Sequence, residues 1–495
     1  MAVKVDTQKE IIFGSSDPNI SRVLSKKEKD GELRKVAPRI YTTNLVDNLE
    51  NIVRRNLMDI LVYRYPDAII SHRSAKEMRP TATGDFFLTN STTRRVTDLP
   101  GIILNFVKGP KASPHDIPFM GMHISGEHRY MLENMQMSRK SGDESRVLPI
   151  SMIETKLEQI LLTGGEDRLN EYRDELRTVA EELGMQTEFA KINSIISALL
   201  STHDAKILST DSAKALAAGN PFDKTRVELF EVLFDAIKDR YFVIRNNRNT
   251  DEESFRLFSF FESYFSNYIE GTEFEIDEAK AIVDSGIPMP RRDEDSHDIL
   301  GTFKVLSNRA EMMKTPTSPK ELFAILSHRH SILLEGRPHM NPGIFKTKNN
   351  RAGMTEFVDY QLVKGTLSQG FKYYAALTDP FARAIFMMFM ISEVHPFNDG
   401  NGRVARVMMN AELVRADQSR IIVPTVFRED YILALRKLTR HKDPLAYINV
   451  MTKLHQFSDN LYGTDFTELK NYLATCNAYE EPSQAKLQII DRSIL

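Results

Sequence analysis

The sequence has little cysteine, no long apolar run and almost no net charge. Its 495 residues contain one cysteine, Cys476, which excludes an intrachain disulfide and a thiolate-rich zinc site and is typical of a reducing cytosol. No window approaches the roughly 20 apolar residues of a membrane span, and the N-terminus lacks the pattern of a signal peptide. A net charge of −3 gives no bulk attraction to nucleic acid or to membranes. We therefore expect a cytoplasmic protein without a membrane partner.

The residues that are present predict a globular, multidomain chain. Apolar residues make up 41% and charged residues 27%, and the length predicts two to four domains. Hydrophobic spacing predicts a mainly α-helical fold preceded by an α/β N-terminal region. The predicted segments are a small helical and strand module at 1–66, a small α/β module at 67–145, a helical connecting region at 146–250, a helical domain at 251–455, and a C-terminal helix and tail at 456–495.

The most informative segment is a glycine-rich turn between two apolar helices. Asp379 and Pro380 predict the start of the first helix, and the proline after His395 predicts its end. The glycines of Asn398–Gly402 permit a tight turn and a close backbone approach, and a second apolar helix is predicted to begin near Asn401. The free N–H groups at such a helix start favour a bound anion.

The side chains around this turn indicate phosphoryl or nucleotidyl transfer. Arg403 and Arg406 are three residues apart and are suited to two phosphates. Asp399 would repel a phosphate unless a divalent cation lies between them, and Mg²⁺ is the natural choice. His395 could accept a proton from an incoming hydroxyl. Each feature alone is typical of a surface turn or a capping histidine, but their combination within twelve residues favours a catalytic site.

The segment from His395 to Arg406 resembles the signature of the Fic (Fido-domain) family, His-Pro-Phe-x-Asp/Glu-Gly-Asn-Gly-Arg-x-x-Arg, at every specified position. The resemblance implies a helical Fic domain with a β-hairpin flap, and transfer of AMP from ATP to a Ser, Thr or Tyr hydroxyl of a target protein. It implies that His395 is the catalytic base and that Asp399 binds magnesium. The residues that it implies for nucleotide binding are Asn398, Gly400, Asn401, Gly402, Arg403 and Arg406.

A second motif precedes the first by more than a hundred residues. Ser266-Asn-Tyr-Ile-Glu-Gly271 resembles the inhibitory-helix motif of the same family, Ser/Thr-x-x-x-Glu-Gly/Asn, on a predicted helix over 253–271. The resemblance implies that Ser266, Glu270 and Gly271 form an autoinhibitory element in which Glu270 pairs with Arg406. Some family members use this glutamate to remove AMP, so the reverse reaction stays open as an alternative.

Two further segments resemble parts of a Fic domain. Residues 342–346 and 353–358 resemble the flap hairpin that holds a target segment by strand addition, which implies target contacts by Ile344, Phe345, Lys346 and Thr355. The usual arginine after the aromatic residue is Lys346 here. Tyr431 lies on a segment that resembles the later Fic helix bordering the nucleoside.

The N-terminal region resembles winged-helix segments of AbiEi-like antitoxin and regulator proteins. The resemblance rests on the segments from Leu24 to Tyr41, Ile70 to Ala75 and Ser125 to Asn134. It implies DNA as a second partner, contacted by the basic residues Lys26, Lys27, Lys29, Arg34, Lys35 and Arg39. A DNA-binding regulator with a nucleotide-responsive Fic core is therefore the alternative from another functional class. A homo-oligomer and the identity of the target stay open.

Overall fold

The computed structural model describes residues 9–200, 205–353 and 355–492, and the chain divides into two compact units, residues 1–218 and 219–495. Helices make up most of the regular structure of these described residues, which confirms the predicted fold class. The predicted domain limits at 66, 145, 250 and 455 stay predictions.

The first unit contains two sheets. A three-stranded antiparallel sheet has the order β1-β3-β2, and helix α1 lies between β1 and β2 in the chain. A six-stranded mixed sheet has the order β6-β7-β5-β4-β9-β8, with β4 parallel to β9 and β5 parallel to β7. The strands are β1 (Ile11–Phe13), β2 (Arg34–Ala37), β3 (Ile40–Thr42), β4 (Ile69–Ile70), β5 (Asp85–Asn90), β6 (Arg94–Leu99), β7 (Ile102–Lys108), β8 (Ile117–Phe119) and β9 (Met122–Ile124).

The helices of the first unit lie partly between these strands and partly after them in the chain. Helix α6 is broken at Gly165, where φ is 74° and ψ is −175°, values that glycine adopts without strain. The helices of this unit are α1 (Pro18–Lys29), α2 (Leu49–Arg55), α3 (Leu57–Arg64), α4 (His72–Glu77), α5 (Glu127–Glu133), α6 (Ile150–Leu183), α7 (Gln186–Leu199) and α8 (Asp211–Ala217).

The described residues of the second unit are mainly helical, and they include a small hairpin in which β10 (Arg351–Ala352) pairs with β11 (Thr355–Glu356). Its helices are α9 (Lys224–Ile237), α10 (Glu252–Ile269), α11 (Ile276–Ser285), α12 (Asp293–Leu306), α13 (Arg309–Met312), α14 (Pro319–Leu333), α15 (Val363–Ala376), α16 (Pro380–Val394), α17 (Asn401–Arg415), α18 (Arg428–His441), α19 (Pro444–Ser458) and α20 (Phe466–Thr475).

Helices α16 and α17 form the centre of the second unit. As predicted, Asp379 caps α16 by accepting a hydrogen bond from the Ala382 N–H, and Pro380 is the first helical residue. Almost every residue of α16 is buried, because its sequence is apolar on all sides. The turn between the two helices is therefore held by the core of the unit.

None of the helices in the described residues is long and apolar enough to cross a bilayer.

Candidate active site

The motif loop, residues 395–400, joins α16 to α17 through two left-handed residues. His395 ends α16 with φ at 52°, and Gly400 precedes α17 with φ at 72°. The buried side chain of Asn401 fixes the loop, because its Oδ1 accepts the Phe397 N–H at 2.8 Å and its Nδ2 donates to the Phe397 carbonyl at 2.9 Å. Asn401 thus shapes the loop with its side chain, and only its backbone N–H is left for an anion at the start of α17.

The His395 imidazole is held as a neutral base. Its ring stacks on Phe357 with centroids 3.6 Å apart and an interplanar angle of 4°. Nδ1 lies 3.3 Å from the Ser392 carbonyl, which favours the tautomer with the proton on Nδ1 and leaves Nε2 as the acceptor. Burial lowers the pKa of His395 to about 4, so the ring is uncharged near neutral pH.

A second histidine, His330 on α14, contacts the motif loop. Its ring stacks on Phe397 with centroids 3.7 Å apart, and its Nε2 lies 2.9 Å from the Asp399 carbonyl. Its Nδ1 accepts the Gly343 N–H at 2.8 Å. Burial lowers the pKa of His330 to about 4. No role was predicted for His330, because the residues around it in the sequence match no motif.

Arg403 is buried and points into a group of acidic and amide side chains. Its Nη1 lies 2.8 Å from Asp298 Oδ2, and its Nη2 lies 3.5 Å from Asp399 Oδ2. Arg337 approaches the same two carboxylates, at 2.6 Å from Asp298 and 4.0 Å from Asp399. Asp298 therefore fixes both arginines beside the loop, and neither it nor Arg337 belongs to a motif that the sequence analysis recognised.

Arg406 is occupied by Ser266 and Glu270 of the Ser266–Gly271 segment. Its Nε donates to Ser266 Oγ and its Nη2 to the Ser266 carbonyl, both at 2.9 Å. Its Nη2 also donates to Glu270 Oε1 at 2.6 Å. The Glu270 carboxylate lies directly against Gly402, where an added Cβ would come within 2.1 Å of Oε1. Gly271, with φ at 92°, ends the helix immediately after Glu270.

A divalent cation fits this site only as a partner of a bound phosphate. Asp399 is 40% exposed and directly precedes Gly400 in the glycine turn, and Asn398 beside it is exposed. Among the described residues no group of three or more His, Cys, Asp or Glu could hold a metal ion. Mg²⁺ commonly uses one or two carboxylates together with phosphate oxygens and water, so the single carboxylate of Asp399 suits a nucleotide-bound magnesium.

A cavity of about 260 Å³ opens beside the glycine turn. His395, Gly402 and the Glu270–Arg406 pair line one part, and α18 lines another with Tyr431 and Thr439. Tyr431 is buried, and burial raises the pKa of its hydroxyl. The cavity thus connects the predicted base, the anion-binding turn and the helix predicted to border a nucleoside.

The four residues predicted to dock a target have different environments. Ile344 is 58% exposed, and Thr355 is half-buried in β11. Phe345 packs against the ring of Phe397 in the motif loop, with centroids 5.1 Å apart. Lys346 is buried and donates from Nζ to Asn350 Oδ1 at 2.7 Å, and burial lowers its pKa to about 8. In this structure the Lys346 ammonium therefore faces the protein interior and not a target.

Comparisons with known proteins find similarity over the part of the chain that contains the motif loop. Residues 321–413 match the model of the Fic/DOC family. The chain is 25% identical over 214 residues to a protein adenylyltransferase Fic of Nematostella vectensis, covering 40% of this chain and 47% of that protein. It is 26% identical over 231 residues to protein adenylyltransferase fic-1 of Caenorhabditis elegans, covering 45% of each. The chain thus spans about half the length of these curated relatives.

Solved structures of Fic proteins align with this chain at lower identity. Fic-1 of Caenorhabditis elegans aligns with a TM-score of 0.36 and 16% identity, over 66% of this chain and 94% of that one. A Fic family protein of Desulfovibrio desulfuricans G20 aligns with a TM-score of 0.35 and 16% identity, over 51% of this chain and 75% of that one. The family match and the motif together identify residues 321–413 as a Fic/DOC-family domain.

Proposed function

We propose that this chain is a protein adenylyltransferase that moves AMP from ATP to a Ser, Thr or Tyr hydroxyl of a target protein, and that Glu270 inhibits it. The observation that carries the proposal is the pairing of Glu270 with Arg406 against Gly402, in the same cavity as His395. The names of the curated relatives support the reaction class. In the proposed step the hydroxyl oxygen bonds to the α-phosphorus, and the bond from that phosphorus to the leaving oxygen breaks and releases pyrophosphate.

His395 is the proposed general base. Its Nε2 accepts the proton of the target hydroxyl as the oxygen attacks, because Nδ1 is directed at the Ser392 carbonyl. A pKa of about 4 keeps the ring neutral and able to accept that proton near neutral pH. The stacked Phe357 ring keeps the imidazole from turning away.

The start of α17 and two arginines are the proposed phosphate site. The first N–H groups of the helix have no intrahelical partner, and the close approach needs Gly400 and Gly402. Arg403 is held by Asp298 in a fixed orientation. Asp399 would hold the magnesium ion of ATP, whose charge would offset the negative charge of the phosphates.

Glu270 inhibits this site through two contacts. It removes Arg406 from any phosphate by a hydrogen bond of 2.6 Å, and its carboxylate takes the space directly over Gly402. A triphosphate would have to displace this carboxylate or bind with its α-phosphorus out of line with the attacking hydroxyl. The 34% exposure of the Glu270 side chain leaves room for it to move outward.

The hairpin β10–β11 is the paired part of the proposed flap, which was predicted over 342–346 and 353–358, whereas residues 342–346 form no strand. Strand addition would present a target hydroxyl beside His395, because Phe357 directly follows β11 and stacks on that imidazole. Backbone pairing reads little side-chain information, so selectivity would depend on neighbouring side chains such as Ile344 and Thr355.

The test is transfer of label from ATP carrying it at the α- or the γ-phosphate, with Mg²⁺. We expect α-label transfer by Glu270→Gly, weak transfer by the wild type and none by Glu270→Gly/His395→Ala. Glu273→Gly is the matched control, because Glu273 is an exposed acid three residues away and its substitution should leave the weak wild-type transfer unchanged. Transfer of γ-label, or equal α-label transfer by wild type and Glu270→Gly, would contradict the proposal.

Removal of AMP is the reverse reaction that the same site supports. Glu270 is a partly exposed carboxylate beside the glycine turn, so it could deprotonate a water molecule that attacks the AMP phosphorus. The bond between that phosphorus and the target oxygen then breaks, so that AMP leaves and the target oxygen takes up a proton to restore the hydroxyl. In the test, α-labelled product made by Glu270→Gly is incubated with unlabelled wild-type protein. Loss of label with wild type but not with Glu270→Gly would favour this activity, and stable label would exclude it for that product.

DNA binding is a second candidate function, located in the first unit. The strand order β1-β3-β2, with α1 between β1 and β2 in the chain, agrees with a wing beside a recognition helix. Lys26, Lys29 and Arg39 are exposed on this module, and Arg39 occupies the turn between β2 and β3. Duplex binding that persists at physiological salt and is lost in Lys26→Gln/Lys29→Gln would favour it, and binding only at low salt would count against it.

A further inference from the structure

Helix α9 lies outside the segment that matches the Fic/DOC family, yet its first turn reaches the flap. Asp223 caps the helix by accepting the Arg226 N–H at 3.1 Å. The Asp223 N–H in turn donates to Thr366 Oγ1 on α15 at 2.9 Å. These two contacts hold the start of α9 in place, so the Arg226 side chain leaves from a fixed backbone.

The Arg226 guanidinium joins two segments on either side of it. Nη2 donates to the Glu356 carbonyl in β11 at 2.6 Å. Nη1 lies 3.1 Å from Glu393 Oε2, an ion pair in which the side chains are 14% and 7% exposed. The other oxygen of Glu393 accepts a hydrogen bond from the Thr439 hydroxyl on α18. Arg226 is half-buried, and its planar guanidinium contacts both partners at once.

Both partners of Arg226 are next to the residues that hold the His395 ring. Glu356 directly precedes Phe357, which stacks on His395 at 3.6 Å. Glu393 lies in the last turn of α16, two residues before His395. The hairpin has only two residues in each strand, and a pairing this short is not stable by itself. The flap therefore depends on contacts from outside the hairpin. Arg440 also donates to the flap, but its hydrogen bond to Thr355 is longer, at 3.3 Å, than that of Arg226 to Glu356.

We propose that Arg226 is a positioning residue, which holds the flap and, through Phe357 and Glu393, sets the orientation of the catalytic base. The catalytic consequence rests on the proposed adenylyl transfer, whereas the contact with the flap does not. Without Arg226 the Glu356 carbonyl loses its donor, and the flap can move away from the motif loop together with Phe357. Arg226 also gives α9 a role at the active site that its sequence does not indicate.

The first experiment measures flap order without any reaction. Hydrogen exchange of backbone amides in residues 349–358 is compared between wild type and Arg226→Gln. We expect exchange in the variant to be at least about tenfold faster there and unchanged in α17. Glu228→Gln is the matched control. Glu228 lies on the same helix as Arg226 and forms an exposed ion pair with Lys442, so its substitution removes one charge and should leave the flap unchanged.

A second variant separates this effect from misfolding. Removing Arg226 alone leaves the buried Glu393 carboxylate without its cation, which can destabilise the whole unit. Arg226→Gln/Glu393→Gln removes both charges, so we expect a stable fold with a flap that still exchanges fast. Equal exchange in wild type and in both variants would overturn the proposal.

The second experiment measures catalysis in the Glu270→Gly background. We expect Arg226→Gln to lower the rate of α-label transfer at saturating ATP by about tenfold, with the dissociation constant of ATP·Mg²⁺ unchanged and partial rescue by Arg226→Lys. Weaker ATP binding with an unchanged saturated rate would mean that Arg226 supports the nucleotide site and not the base, and would overturn the proposal. If Glu270→Gly itself transfers no label, the proposed function fails, while the exchange result still decides the role of Arg226.

Discussion

At the scale of single residues, the environment of His395 decides which proton chemistry the site can perform. A solvent-exposed histidine is half protonated near pH 6.5. Burial, to which the stacked Phe357 ring contributes, lowers the pKa of His395 to about 4. The ring is therefore an available proton acceptor over a wider range of pH than an exposed histidine would be.

The lowered pKa of His395 predicts the pH at which the reaction rate falls on the acid side of the pH–rate profile. Because the folded pKa lies below the ordinary value, we expect α-label transfer by Glu270→Gly to hold down to about pH 5 and to fall toward about pH 4. Phe357→Ala admits water to the His395 imidazole. The pKa of His395 should therefore rise, and the fall in rate should move toward about pH 6.5. Phe357→Leu keeps an apolar cover and should retain the fall at the lower pH. Identical profiles for Phe357→Ala and Phe357→Leu would contradict this explanation.

The residue scale also shows what local sequence could not reveal. The roles of Arg403, Asp399 and His395 were predicted from a twelve-residue window. Asp298 and His330, which hold Arg403 and the motif loop, lie on other helices and have no signature of their own. Lys346 was predicted to face a target, but the depth of its side chain depends on how residues 342–353 fold over the motif loop.

At the scale of elements, the end of helix α10 determines whether Glu270 stays on Arg406. The segment after α20 contacts this end, because Tyr268 donates from its hydroxyl to Glu481 at 2.8 Å and Tyr479 stacks on Phe265 with centroids 5.5 Å apart. These contacts stabilise the last turn of α10 in the position where Glu270 meets Arg406.

Weakening this contact should raise the activity of the otherwise intact protein. Tyr268→Phe removes one hydrogen bond worth about 1 kcal/mol, which corresponds to roughly a fivefold rise in the displaced population and in α-label transfer. Tyr241→Phe is the control, because Tyr241 is 83% exposed. Transfer by Tyr268→Phe at the wild-type rate would show that the C-terminal segment does not hold the inhibitory helix.

Helices and strands differ in how clearly their sequence predicts them. Strands β4, β5 and β7 lie within the α/β module predicted at 67–145 and contain apolar residues that are buried. Strand β6 has no such apolar pattern, because Arg94–Leu99 is mostly exposed and polar. The predicted inhibitory helix over 253–271 corresponds to α10, Glu252–Ile269, since its caps are local.

At the scale of the whole molecule, buried histidines link the stability of the second unit to pH. His330 and His455 are almost fully buried, and burial lowers the pKa of each to about 4. In the unfolded chain both titrate near pH 6.5, so the unfolded state binds more protons between these values. Their contribution to stability is complete above about pH 6.5 and is lost as the pH falls toward about 4.

We therefore expect the free energy of unfolding to be lower at about pH 5 than at about pH 7, by up to roughly 2 kcal/mol for each of these histidines. Urea unfolding of wild type at the two pH values measures the difference. His455→Gln should be less stable but should show a smaller pH dependence, whereas the exposed His441→Gln should keep the full one. An unchanged pH dependence in His455→Gln would contradict this assignment.

The sequence by itself determined the motif loop, the helices on both sides of it and helix α10, because glycine, proline, caps and apolar spacing act over a few residues. The family motifs also predicted that Glu270 pairs with Arg406. Tertiary structure alone decided which other distant groups meet there. Asp298 on α12 contacts Arg403 on α17, and Arg226 on α9 reaches Glu356 across 130 residues. Contacts of this kind depend on how whole helices pack around α16 and α17, and no local pattern encodes that packing.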